Sequence, residues 1–454
     1  MKAMNTMRDK EIKEVLGNLS VQELIRQQRA CGRASVEKEF KDEWAKWYKY
    51  ASALLEDRRH GEDVRSLAHL LKQITFSLAR LNVNPVPTYY PYTDAHLLDW
   101  YLGKRHEKFH YYKEKSIEGI FYLLSDLLRF ESESLVNIEG TNQHECSKAA
   151  VIKRIQAIEE AAAACADLCN SVTDGRPIPR HDLVHYERLE GYATEPSRLS
   201  ALIHFSCMPQ TQSHDEVLFL RIIHMSEFCF FGIRWSVIEA TENIKNEGPD
   251  RAAQCLRQAI DFGKMLHRSF KVLRTMPVKH FISFRGATGH ASAVQSQNYQ
   301  LMETYFSGAN TQKKDVYERE PNLTYLNRYD HPSFIHLGKA LNEHRHKEGA
   351  NGWEELFETA RRLDRQLLTW RGLHVGFARA YLKDLAGTGS TSGAKYLEKY
   401  LRVGLFPETT VDIEVVEEMF AEEFPEIATM FRSVPSHIGI APGQEQWETA
   451  DIQR

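Results

Sequence analysis

The chain has 454 residues and a mass of 52.5 kDa, which at about 150 residues per domain sets a prior of about three domains. Its 42% hydrophobic and 26% charged residues, with only 25 Gly and 15 Pro, exclude collagen, disorder and coiled coil. Lys and Arg number 58 against 62 Asp and Glu, a formal charge of −4, so neither a basic nucleic-acid surface nor an acidic tail is written into the balance. No segment approaches the roughly 20 uncharged apolar residues of a membrane span. The opening Met1 to Lys13 is mixed in charge and lacks the apolar run of a secretory leader. These features predict a cytoplasmic protein without membrane or nucleic-acid partners. Seven scattered Cys residues fit reduced thiols better than a disulfide framework.

Helical periodicity dominates in chain order. Ser20 and Glu23 form a capping box for an early helix. Leu67, Leu70, Leu71, Ile74, Leu78 and Leu81 recur at the three-and-four spacing that puts them on one helix face. Asn84 to Tyr92 carries three prolines and reads as a loop. Tyr89, Tyr90 and Tyr92 there are assigned to helix packing, with a cover over the pocket as the alternative. The Ala-rich run Val151 to Leu168 is a strong helix former; Cys165 and Cys169, one turn apart within it, read as buried thiols. Ser171 to Pro196, rich in Gly and Pro, is the candidate boundary. The predicted organisation is a helical extension over 1–190, a core over 191–410 and a C-terminal helix and tail over 411–454. Alternating strand patterns are scarce, so the fold class is all-α.

The chemistry must come from the second half. His214-Asp-Glu-Val-Leu-Phe219 opens an aromatic helix that runs past His224 and Glu227. Arg285 follows an apolar stretch, and its planar fork matches a carboxylate bidentately. His374 shares a helix face with Trp370, Phe377, Ala378 and Tyr381, so it projects into apolar surroundings. Gly372 and Gly376 flank it at a cost of about 0.5–1 kcal/mol each relative to Ala, which the approach of a bulky, flat ligand such as an iron porphyrin would explain. The loop Gly387 to Gly393 lacks the Lys-Ser/Thr of a phosphate loop, but its glycines let the main chain close on a ligand while Thr388 offers a hydroxyl. His344 and His346, in a polar stretch, read as solvated surface. No zinc spacing, nucleophile elbow or Rossmann fingerprint is present.

Taken together, these residues resemble the tryptophan 2,3-dioxygenase superfamily. Arg285 in Phe-Arg is followed by Ala291, Ser292, Gln295 and Ser296, as in that family. His374 precedes Thr388 by fourteen residues and follows Trp370 by four. The His-Asp-Glu opening, Leu218-Phe219 and Glu227 match, and Phe406 to Glu408 repeats a Phe-Pro-Glu. The resemblance covers about Tyr192 to Pro407. It implies an all-helical haem b protein, often a dimer or tetramer of identical chains, that acts on an aromatic amino acid with O2. By it, His374 is the proximal iron ligand, Arg285 the clamp on the α-carboxylate, Thr388 a contact to the α-ammonium and Phe219 an aromatic wall.

The sequence departs from the family where the distal histidine stands: an ungapped comparison puts Ile223 there, with His224, the candidate distal group, one place later. The favoured activity is ring-opening dioxygenation of L-tryptophan or a close relative to an N-formylkynurenine. The alternative is a secondary-metabolism tailoring enzyme that hydroxylates or rearranges an aromatic amino acid, as in pyrrolnitrin biosynthesis. The third reading is a non-catalytic haem-binding protein.

Overall fold

The computed structural model describes residues 2–405 apart from 21, 24–25, 27–30, 84–94, 103–108, 141–145, 179–183, 185, 193–197, 207, 289–290, 292, 311–312, 321–322, 383–384, 386, 388–392, 399 and 402–403. The loop at 84–92 and the tail at 411–454 therefore lie outside the described residues. The helices that matter here are α1 (Lys38–Glu56), α2 (Glu62–Val83), α3 (Phe109–Gly140), α4 (Lys148–Thr173), α5 (His214–Lys245), α6 (Pro249–Leu273), α7 (Val278–Arg285), α8 (Gln297–Ser307), α9 (Trp353–Leu382) and α10 (Ala394–Glu398). No strand occurs among the described residues; the one β feature recorded is an isolated bridge between Ser20 and Arg188. The fold is all-α, as the periodicity predicts.

Local sequence explains the helices. In α2 the expected stripe is buried at Leu67, Leu70, Leu71 and Ile74. Helix α4 starts where the Ser147 hydroxyl accepts the Ala150 N–H and ends at Asp174 in the left-handed region. Cys165 in α4 is buried, which pushes its thiol up to about 12, and none of the described cysteines is in a disulfide.

Helices α5 and α6, joined by the three residues 246–248, form the centre; α9 packs on α6, and α3 and α4 pack on α5 and α6 from the N-terminal side. Two glycines set these close approaches. A Cβ on Gly232 of α5 would stand 2.4 Å from the Phe262 ring of α6, and one on Gly119 of α3 would meet the Phe228 ring of α5 at 2.5 Å. The N-terminal helices thus share one hydrophobic core with the second half of the chain. Trp235 of α5 stacks on Tyr112 of α3 with ring centroids 4.0 Å apart. No helix among the described residues is long and apolar enough to cross a membrane.

Candidate active site

Between Asp215 and Arg234, α5 is buried at every position except Phe219 and Ile223, which are partly exposed. Four residues apart, they lie on one face of the helix. Ile223 of that face lines a cavity that is partly open to solvent. Ser226, Glu227 and Phe230 continue the wall along α5; Trp370, Arg371, His374 and Val375 come from α9, and Phe270 from α6.

His374 is the only imidazole among the described residues that line the cavity. Its ring lies 5.5 Å from Trp370 and 5.8 Å from Phe270, centroid to centroid, and makes no hydrogen bond among the described residues. Burial pushes its pKa down to about 4, so the ring is neutral at physiological pH, the form that ligates metals. His224 is fully buried and does not line the cavity; Ile223 does. One residue is about 100° of helix rotation, and the α5 helix runs without a break through both positions. The structure therefore gives the cavity wall to Ile223.

Arg285 ends α7 half-buried, outside the residues that line the cavity. Phe219 packs on Phe281 and Phe284 of the same short helix, at 5.7 and 5.6 Å between ring centroids. The two predicted substrate residues are thus brought to one helix. Aromatic contacts continue from Phe281 to Phe377, from Phe377 to Phe270 and from Phe270 to His374. Thr388 lies outside the described residues. The Gln-Ser pair has a structural part: Gln295 donates to Glu320, while the Ser296 hydroxyl caps α8 and donates to Glu227 of α5. Asn298 donates to the other Glu227 oxygen at 3.0 Å.

Sequence reasoning missed two groupings. The first is a polar wall of the cavity, where Lys313 and Arg371 share the Glu303 carboxylate and the Tyr299 hydroxyl donates to it at 2.6 Å. Burial opposes the charge on Glu303, but the two cations outweigh it and hold the carboxyl below its ordinary value. The available signal was Arg371, three residues before His374 and hence on a neighbouring face. The second is a buried cluster around Arg154, whose Nη1 donates to Glu131 at 2.8 Å and lies 2.7 Å from Asp215. His280 Nδ1 stands 2.6 Å from the same Asp215. Cys146, His214 and Asp215 place ligand atoms within 4.8 Å of one another, but the Arg154 guanidinium already supplies the cation there. Burial pushes the Cys146 thiol up to about 12, which leaves it inert as a nucleophile. His344, expected on the surface, instead stacks on Trp353 with ring centroids 5.0 Å apart.

Comparison with known proteins bears on these features directly. Residues 197–363 match the tryptophan 2,3-dioxygenase family. A tryptophan 2,3-dioxygenase of Ruegeria pomeroyi is 27% identical over 237 residues, 44% of this chain and 84% of the relative. Those of Arthrobacter and Exiguobacterium sibiricum are each 25% identical, covering 43% and 49% of this chain and 81% and 88% of theirs. This part of the chain is similar to the tryptophan 2,3-dioxygenases. The dioxygenase-like part is the segment that carries α5 to α8 and the first turns of α9. The family match stops before His374, so the evidence for that residue is the cavity itself.

Proposed function

We propose that this chain is a member of the tryptophan 2,3-dioxygenase superfamily and a cytoplasmic, homo-oligomeric, haem-dependent oxygenase acting on L-tryptophan or a closely related aromatic amino acid, with ring-opening dioxygenation as its reaction. The observation that carries the reading is the neutral imidazole of His374 on an apolar wall of the cavity. The residues fit haem b: His374 would hold the iron, and Trp370, Phe270, Phe230 and Val375 offer apolar surface to a porphyrin. Haem, when bound, supplies the redox chemistry with O2.

The chain's own residues supply position and exclusion of water. Arg285 receives the substrate carboxylate on its planar fork and stays charged at any working pH. The buried Phe284 and Phe281 fix the helix that carries it. Thr388 accepts from the α-ammonium, and Phe219 stands against the aromatic ring. Holding the ring in one orientation in a dry cavity removes much of the entropic barrier.

Ile223 supports a second reading. An apolar side chain on the α5 wall offers no partner to a ring N–H, which suits a tailoring enzyme that hydroxylates or rearranges its substrate. A spectral titration of the ferrous haem-loaded protein with the twenty amino acids and indole derivatives tests the substrate class. Arg285→Leu is expected to weaken binding of the preferred amino acid by about 10- to 100-fold, the value of a charge-assisted hydrogen-bonded pair. An unchanged affinity contradicts the clamp.

A further inference from the structure

The rings around His374 differ in how easily they give up an electron. Phe270 and Trp370 are its ring neighbours among the described residues, at 5.8 and 5.5 Å between centroids, and of the two only the indole is readily oxidised. Trp370 in turn meets Phe270 at 5.9 Å, Phe230 at 5.2 Å and Tyr299 at 5.6 Å. Of those three only the phenol is readily oxidised. Among the described residues, one chain of oxidisable rings in contact thus leaves His374, through Trp370 of α9 to Tyr299 of α8. Both rings line the cavity.

The two rings are differently equipped to lose a proton. Trp370 is buried, and its Nε1–H makes no hydrogen bond among the described residues. An indole that loses an electron there has no acceptor for its proton, so it stays a cation and a strong oxidant. The Tyr299 hydroxyl donates to Glu303 Oε1 at 2.6 Å, within reach for proton transfer. Arg371 donates to that same oxygen at 2.8 Å and Lys313 to the other one, which fixes the carboxylate in its charged form. Tyr299 can therefore give up its electron and its proton together and end as a neutral radical. That difference draws electrons from Tyr299 to Trp370 and not the reverse.

Resting on the haem reading above, we propose that Tyr299, with Glu303 as its proton acceptor, and Trp370 form a one-electron path by which an outside reductant reduces hydrogen peroxide at the haem of this cavity. The balance is simple. Peroxide takes two electrons and two protons to become two waters as its O–O bond breaks, and ascorbic acid supplies both as it becomes dehydroascorbic acid. Tyr299 relays the electrons singly. Each time it gives one up through Trp370, its O–H bond breaks and the proton moves to Glu303 Oε1. The electron returned by ascorbic acid re-forms the phenol with that proton. The cavity is partly open to solvent and Tyr299 is partly exposed on its wall, so a small reductant can reach the phenol.

The test is electron paramagnetic resonance of the full-length, haem-loaded protein, frozen within seconds of mixing with hydrogen peroxide in the absence of any amino acid. The protein is prepared with ring-deuterated tyrosine or ring-deuterated tryptophan. Wild type is expected to give an organic radical signal that narrows with deuterated tyrosine and not with deuterated tryptophan. Tyr299→Phe should lose that tyrosyl signal, keep the His374-ligated Soret band and consume ascorbic acid with peroxide more slowly. At equal haem occupancy Trp370→Phe should accumulate less of the signal. A tyrosyl signal that persists in Tyr299→Phe, one that forms undiminished in Trp370→Phe, or a wild-type protein with no tyrosyl radical overturns the proposal. Absence of any His374-dependent Soret band overturns the haem reading itself, an outcome distinct from a ligated haem that yields no radical at Tyr299.

Discussion

His374→Ala is expected to remove specific haem binding. Titrated with haemin, the variant should lose the ligated Soret band and bind at least about 100-fold more weakly, since loss even of a residue that merely supports a metal ligand costs 10- to 100-fold. Added imidazole should restore the band, because the space left by the side chain opens on the cavity. The physical reason is the ring's isolation: it touches Trp370 and Phe270, has no hydrogen-bond partner among the described residues, and burial holds it neutral at about 4. A core histidine with a structural task would be hydrogen-bonded. If the variant keeps both the band and its ligation state, the iron ligand is elsewhere.

Arg154→Ala should be the most destabilising single change in the molecule, lowering the unfolding free energy by about 3–5 kcal/mol in urea denaturation. The Arg154 guanidinium is fully buried between Glu131 and Asp215, and its Nε donates to Thr275 at 3.1 Å. Burial acts against the charge on Asp215, but Arg154 and His280 outweigh it and hold the carboxyl below its ordinary value. Removing the cation strands two carboxylates in the core. Glu131 lies on α3, Arg154 on α4 and Asp215 on α5, so the change tests the joint between extension and core. A stability loss under 1 kcal/mol would mean that the N-terminal helices and the second half are held together by other contacts.

The amphipathic α2, the Ala-rich α4 and the His374 helix α9 were legible in the sequence because each is written in local spacing, which helix geometry converts directly into a face. The motif order from His214 through Arg285 to His374 was legible for the same reason. What the sequence withheld is long-range. Arg154 reaches partners 23 and 61 positions away, and Arg371 reaches Glu303 across 68. Lys313 is buried by its contacts to Glu303 and Gln300 of α8, which no local spacing marks. The choice between Ile223 and His224 was open from sequence alone, since neighbours on a helix point about 100° apart and the frame is set by packing against α6 and α8.

The central claim is that this chain oxygenates an aromatic amino acid at a haem held by His374. Its most direct test is a single turnover: haem-loaded protein, reduced without air, is mixed with L-tryptophan and 18O2, and the product is read by mass. The account predicts N-formylkynurenine carrying two labelled oxygens, formed by wild-type protein and not by His374→Ala. Recovery of unlabelled substrate, with no labelled product from tryptophan or any other aromatic amino acid, would contradict it.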